Sequence, residues 1–296
     1  MNQRALLLVN RQARRGQEAL TQAIESLQAR GLDLLEESTA EPEQLSDLIR
    51  KYRDRVDLVI VGGGDGTLNA VTEGLVDTQL PLGILPLGTA NDLARTLCIP
   101  TDLTRACEII AQGDVQRIDL GWVNGKYFFN VASLGLSVQI TQQLTKEVKR
   151  RWGVFAYVAT AIRVIGQSRP FWAEIHDRGN VTQVRTVQIA VGNGRHYGGG
   201  MTVVPDATID DDRLDLYSLE LQRWWQIIPL LPAMQQGQHI KSPKVRALAG
   251  KEFTIRTRRP RPINTDGEIT TYTPATFRVV PKALSVLVPK PHSPLG

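Results

Sequence analysis

Apolar positions along the chain recur with two different periods. Ala5–Val9 is a short continuous apolar run, as in a strand buried on both faces. From Glu18 to Arg30 the segment carries apolar residues at Ala19, Leu20, Ala23, Ile24 and Leu27, a spacing that puts them on one face of a helix. Leu32–Leu35 predicts the next strand, and Leu45, Leu48, Ile49 and Tyr52 mark the next helical face. Val56–Val61 is a strand run followed by glycines, Leu68–Leu75 a helix, Pro81–Pro86 a strand and Asp92–Leu97 the start of another helix. This alternation predicts a parallel sheet covered by helices.

The character changes near Asp119. Asn124-Gly125 lies between two apolar runs, a hairpin signal. Strand-like runs follow at Phe171–Ile175, Val184–Val191, Leu214–Leu221, Phe253–Thr257, Thr276–Val280 and Ser285–Val288. Helical stretches interrupt them at Val138–Gly166 and Trp224–Gly237. At roughly 100–200 residues per domain, the reading is two domains: an α/β domain over 1–122, a β-rich domain over 123–288, and an extended tail over 289–296.

Composition narrows the class. With 42% hydrophobic and 22% charged residues, the 296-residue chain can bury a core without metals or disulfides. Cys98 and Cys107 have no partner at metal-ligand spacing and read as thiols of a reducing compartment. No stretch reaches the ~18 consecutive apolar residues of a membrane span: Arg163 cuts Val154–Ile162, and Gln226, Pro229 and Pro232 interrupt Trp224–Met234. The apolar run near the N-terminus is too short for a signal peptide, so the expected location is the cytoplasm. A net charge of +5 favours polyanions or an anionic membrane surface. It is small for a nucleic-acid binder, and no recognition motif is present.

Two loops carry candidate chemistry. Gly62-Gly63-Gly64-Asp65-Gly66-Thr67-Leu68-Asn69 follows a buried strand and opens a helix. Glycines let backbone approach an anion closely, and a helix start offers unpaired N–H groups. Asp65 would repel phosphate unless a divalent cation lies between them, as phosphoryl transfer requires. Pro86-Leu87-Gly88-Thr89-Ala90-Asn91-Asp92-Leu93-Ala94-Arg95 also joins a strand to a helix, at the same carboxyl edge of a parallel sheet. A tight turn needing glycine, and Asn91 or Asp92 as helix cap, are the purely structural alternatives. Neither loop ends in Gly-Lys-Ser/Thr, which excludes a Walker-type loop.

Gly63-Gly64-Asp65-Gly66-Thr67 followed by Gly88-Thr89-Ala90-Asn91-Asp92 resembles the diacylglycerol kinase catalytic domain, in particular that of the bacterial soluble lipid kinases. The resemblance continues through Val191-Gly192-Asn193-Gly194, Gly198-Gly199-Gly200 and Pro205-Asp206-Ala207, the acidic loop Ile209–Asp215, and Asn264-Thr265-Asp266-Gly267-Glu268. It implies a Rossmann-like α/β nucleotide-binding domain followed by a β-sandwich-like domain, and transfer of the ATP γ-phosphate to a lipid hydroxyl in the cleft between them.

The resemblance also implies roles for individual residues. Asp266 falls on the general base. Thr39, Thr89 and the loop Gly63, Gly64, Asp65, Gly66, Thr67, Leu68, Asn69 and Ala70 fall on ATP contacts. Asp65, Asp92 and Asp266 match carboxylates that hold the catalytic Mg2+. A second, structural Mg2+ or Ca2+ would take the Asp211 carboxylate and the backbone carbonyls of Thr208 and Arg213. The implied partners are a membrane lipid substrate, a membrane surface touched transiently, and a second copy of the chain as a candidate homodimer partner, with no nucleic acid.

The sequence departs from the family pattern in two places. Arg11 follows Asn10 where the first loop usually has proline, with Gly16 later, and Asp212-Arg213 replace small or apolar residues in the acidic loop. Basic residues cluster at Lys146, Lys149, Arg150 and Arg151, and again at Arg256, Arg258, Arg259 and Arg261. With Trp152, Trp224 and Trp225, they suit a membrane interface or simply a solvated face. The competing functions are a kinase for a soluble substrate, since NAD kinases and phosphofructokinases share the Gly-Gly-Asp-Gly-Thr loop, and a non-catalytic lipid-binding regulator.

Overall fold

Strands β1 (Gln3–Val9), β2 (Leu32–Glu37), β3 (Leu58–Gly63) and β4 (Leu82–Pro86) pair in parallel in the order β2-β1-β3-β4. Leu6 lies opposite Leu35 on one side and Val59 on the other, and Val59 lies opposite Leu82. Every residue of β3 and β4 is buried, as expected for strands covered on both faces. Each Leu, Ile or Val side chain among them, taken out of water, stabilises the fold by about 1.5–3 kcal/mol. The strand order reverses between β1 and β3, and ligands of open α/β sheets bind outside the carboxyl ends at such a point.

The computed structural model describes residues 3–9, 17–37, 41–143, 166, 168–194, 196–197, 201–202, 208–221, 226–227, 230 and 238–290. The chain divides into two compact units, Met1–Leu120 with Pro281–Gly296, and Gly121–Val280.

In the first unit the strands alternate with α1 (Gln17–Ala29), α2 (Leu45–Tyr52), α3 (Asp65–Thr78), α4 (Asp92–Thr96) and α5 (Leu103–Gln112). The last of these is absent from the sequence reading. Its inward residues Ala106, Cys107 and Ile110 do keep helical spacing, and the Asp102 carboxylate caps it by accepting the Arg105 N–H at 2.9 Å. The thiol of Cys107 is buried, which raises its pKa, whereas Cys98 is exposed.

Strand β5 (Asp114–Val123) leads into the second unit and forms a hairpin with β6 (Lys126–Phe128). Asn124 and Gly125 both have positive φ, 46° and 92°, as the two-residue turn requires. There follow β7 (Val131–Gly135), α6 (Leu136–Gln143), β8 (Phe171–Asp177), β9 (Asn180–Thr186), β10 (Gln188–Gly192), β11 (His196–Tyr197), β12 (Met201–Thr202), β13 (Leu214–Leu219), β14 (Val245–Gly250), β15 (Glu252–Thr257), β16 (Pro262–Thr265), β17 (Glu268–Tyr272) and β18 (Ala275–Val288). One antiparallel sheet runs β14-β13-β10-β7-β16-β17. A second layer pairs β18 with β15, β15 with β8 and β8 with β9. Leu134, Ile189, Val191, Leu216 and Ile263 of the first sheet share one core with Ile175, Phe253, Ile255 and Phe277 of the second, the layering of a β-sandwich. Alternate residues Ala190, Tyr217 and Leu219 face the opposite side, beneath Leu136 of α6.

Several expected boundaries move. Val184–Val191 is not one strand. The chain leaves β9 at Thr186 and enters β10 of the other sheet at Gln188, with the Val187 N–H donating to Leu219 O. A continuous apolar run does not mark such a change of sheet. Conversely, Thr276–Val280 and Ser285–Val288 belong to one strand, β18. Lys282 within it has φ 50° and donates its N–H to Asp119 Oδ1 at 2.7 Å, so the ladder bends there without ending. The end of β18 lies beside β4, Val286 opposite Leu82. The expected helix Val138–Gly166 begins at Leu136 and is described to Gln143. Of Trp224–Gly237, only Gln226, Ile227 and Leu230 lie within the described residues. Among the described residues no helix is long and apolar enough to cross a membrane.

Candidate active site

In the first unit the two glycine loops meet. Strand β3 ends at Gly63, and the extended Gly64 leads into α3, its carbonyl accepting the Thr67 and Leu68 N–H groups at 3.0 and 3.1 Å. Leu87, just past β4, donates its N–H to Gly63 O at 3.0 Å. A Cβ on Gly88 would stand 2.4 Å from Gly64 Cα and 2.6 Å from Asn91 Oδ1. Both loops therefore need glycine because their backbones touch, a tertiary reason that the tight-turn alternative does not contain.

Asn91 does not act as a side-chain cap. It is buried with φ 49°, and its Nδ2 donates to Gly88 O at 3.0 Å, fixing its own loop. The N–H of Leu93, in the first turn of α4, is accepted instead by Asp65 Oδ1 at 3.2 Å. Asp65 thus ties the first loop to the second. Asp92 beside it is buried, 8% exposed, and Thr89 is exposed. Leu68 packs into the core, so only its backbone can meet a ligand. The buried oxygens Asn69 Oδ1 and Asn91 Oδ1 have no hydrogen-bond donor among the described residues, which suits a ligand or water donor. Thr39 and the loop 10–16 that follows β1 in the sequence lie outside the described residues.

In the second unit Asp266 and Gly267 form the turn between β16 and β17, with φ 47° and 104°. The carboxylate is held by three successive backbone donors. Phe129 N–H donates to Oδ2 at 2.6 Å, and Asn130 and Val131 donate to Oδ1 at 3.1 and 3.0 Å. The Asp266 N–H returns a bond to Val131 O at 3.0 Å. Asn264 Oδ1 accepts from Gly267 N–H at 2.8 Å and shapes the turn. Charge-assisted bonds of this kind fix a carboxylate at one position, as proton transfer needs. Phe129, Asn130 and Val131 were not among the sequence candidates. A backbone N–H carries no residue-type signal, and β7 itself was not predicted.

The acidic loop is already rich in cations. Asp211 Oδ2 accepts from Thr208 N–H at 3.2 Å and lies 3.6 Å from Arg213 Nε, which also pairs with Asp215 at 3.3 Å. Asp212 pairs with Lys251. The two residues of this loop that depart from the family pattern, Asp212 and Arg213, are therefore both engaged in ion pairs. Among the described residues no three His, Cys, Asp or Glu side chains gather to hold a metal alone. Magnesium characteristically takes one or two carboxylates and completes its shell with phosphate and water, so Asp65 and Asp92 suit it as partners of a nucleotide.

Of the basic clusters, Lys146, Lys149, Arg150 and Arg151 lie outside the described residues, as do Trp152, Trp224, Trp225, Gly198–Gly200 and Pro205–Ala207. Arg261 is no solvated cation. It stacks over Phe171, 3.9 Å from guanidinium carbon to ring centroid, and burial lowers its pKa.

Comparison with known proteins agrees with both halves. Residues 4–123 match the family model of the diacylglycerol kinase catalytic domain, and residues 130–288 match that of the YegS C-terminal NAD kinase beta sandwich-like domain. The diacylglycerol kinase of Staphylococcus carnosus (strain TM300) is 30% identical over 243 residues, 81% of this chain and 79% of the relative. That of Staphylococcus aureus (strain bovine RF122 / ET3-1) is 31% identical over 81% of this chain and 77% of its own. A crystal structure of a protein assigned as a diacylglycerol kinase in Bacillus anthracis superposes with a TM-score of 0.85 at 27% identity, covering 98% of this chain and 96% of that one.

Proposed function

Because the chain belongs to the diacylglycerol kinase catalytic-domain family, a family of lipid kinases, we propose that it transfers the γ-phosphate of ATP to the hydroxyl of diacylglycerol or a related lipid. The observation that carries the reading is the Asp266 carboxylate, held by three consecutive backbone N–H groups at the tip of a hairpin.

A lipid alcohol is a poor nucleophile at neutral pH. Asp266 accepts its proton as the oxygen–phosphorus bond forms and the bond from the γ-phosphorus to the bridging oxygen breaks, releasing ADP. The touching loops of Gly63–Ala70 and Gly88–Asn91 offer backbone N–H groups and the start of α3 to the phosphates. Thr89 and Thr39 are assigned to the nucleotide on the family pattern. Magnesium, bound with ATP through Asp65 and Asp92, would offset charge on the phosphate oxygens. A second Mg2+ or Ca2+ is assigned to Asp211 and the carbonyls of Thr208 and Arg213, where it would compete with the Arg213 guanidinium. The assigned setting is cytoplasmic, with transient contact at the membrane that supplies the lipid.

The test is transfer of label from [γ-32P]ATP, with magnesium, to lipids in mixed micelles. Label in an organic-extractable lipid supports the reading and identifies the acceptor. Label only in NAD or fructose 6-phosphate moves the assignment to a soluble-substrate kinase. No transfer to any acceptor leaves a lipid-binding regulator as the function.

A further inference from the structure

The two peptide groups that hold Asp266 Oδ1 are both held from behind by Asn193, joined at the second by Gly194. The first is the peptide between Phe129 and Asn130. Its N–H donates to Asp266 Oδ1 at 3.1 Å, and its carbonyl, Phe129 O, accepts from Asn193 Nδ2 at 2.9 Å. The second is the peptide between Asn130 and Val131. Its N–H donates to the same Oδ1 at 3.0 Å, and its carbonyl, Asn130 O, accepts from the Asn193 N–H at 2.8 Å and the Gly194 N–H at 3.2 Å. Asn193 is 3% exposed and Asn130 is 2% exposed, so these bonds are made away from bulk water.

We infer that Asn193 is a positioning residue for the reaction, acting on Asp266 through the peptide groups of residues 129–131. This rests on the reading of Asp266 as the base. An amide whose carbonyl accepts a hydrogen bond is polarised and becomes a better donor at its N–H, and in a buried setting the strengthening passes along the chain of bonds. The Asn193 side chain supplies that bond to one peptide, and its main chain supplies it to the next. The donor to Phe129 O is the Asn193 side-chain amide, whereas the donors to Asn130 O are main-chain N–H groups. The Val191-Gly192-Asn193-Gly194 segment ends β10, which pairs with β7 in register, Gly192 opposite Val131, and this brings residue 193 level with the segment it holds.

Asn193→Ala removes the side-chain donor and leaves the main-chain bonds. In the full chain with saturating lipid, kcat should fall about tenfold while KM for ATP stays at the parental value. Amide exchange at Asn130 should accelerate. Asn193→Asp, which sets an acceptor against Phe129 O, should fall at least as far. Parental kcat in Asn193→Ala overturns the inference, and so does a lower kcat with unchanged exchange at Asn130. If neither variant shows a cooperative melting transition, exchange in the parent chain decides: Asn130 and Val131 amides exchanging as fast as exposed turns overturn it, and protected ones uphold the bridge. Asp266→Asn separates the two claims. Full activity in that variant removes the base assignment, whereas an inactive Asp266→Asn beside a fully active Asn193→Ala removes only the role of Asn193.

Discussion

Gly64 and Gly88, one in each glycine loop of the first unit, meet backbone to backbone: a methyl group on Gly88 would lie 2.4 Å from Gly64 Cα. The loops can stay together only if one moves. Gly88→Ala should therefore cost about 1–3 kcal/mol as an overpacking change, read as a lower Tm, and should raise KM for ATP. Alanine at Gly125, whose Cβ would meet nothing within 4 Å, serves as a control that strains only a turn. Unchanged Tm and KM in Gly88→Ala would show that the contact is not required.

Asp65 has two separable duties. Its Oδ1 accepts the Leu93 N–H, a bond that asparagine can also accept, while its charge is what a magnesium nucleotide needs. Asp65→Asn should keep the parental Tm within about 1 °C and lose phosphoryl transfer by at least tenfold, roughly 1.4 kcal/mol of transition-state stabilisation. Asp65→Ala should lose both. Transfer at the parental rate by Asp65→Asn would remove the carboxylate from the nucleotide site.

Asp266→Asn is a harsher change. The asparagine amide must face donors on both sides, Phe129 N–H on one and Asn130 and Val131 N–H on the other, so its NH2 group necessarily opposes an N–H. Turnover should fall by about a hundredfold or more, with an added stability loss of about 1–3 kcal/mol for the unpaired buried donors. Measuring ATP binding beside Tm divides the two effects: binding should remain, since the nucleotide loops belong to the first unit.

The acidic loop yields a metal test. If a divalent cation displaces Arg213 from Asp211, raising magnesium from zero to about 10 mM should increase Tm by mass action, and Asp211→Ala should abolish the increase. Equal increments in both chains would mean that the guanidinium is the permanent partner of Asp211.

The two cysteines differ in exposure. Cys107 is buried and its thiol pKa is raised by desolvation, so it stays protonated and unreactive, whereas Cys98 is exposed. A maleimide should label one thiol in the folded chain and both after denaturation. Labelling of Cys107 in the folded chain would contradict the packing of α5.

The strand–helix alternation, the hairpin at Asn124-Gly125 and the order of the glycine and acidic motifs were legible in the sequence, because burial period and turn stereochemistry are local properties. Helix α5 was legible in principle through Ala106, Cys107, Ile110 and the Asp102 cap. The break at Val187 and the passage of β18 through Lys282 were not, since which sheet an apolar residue joins depends on partners far along the chain. The site divides in the same way. Its acidic and glycine residues announce themselves by type and spacing. The contact of Gly64 with Gly88, the bond of Asp65 to Leu93 and the cradle of Phe129, Asn130 and Val131 around Asp266 arise from tertiary structure alone, the last across at least 135 residues. Backbone donors are chemically alike at every non-proline position, so only the folded register decides which of them hold the carboxylate.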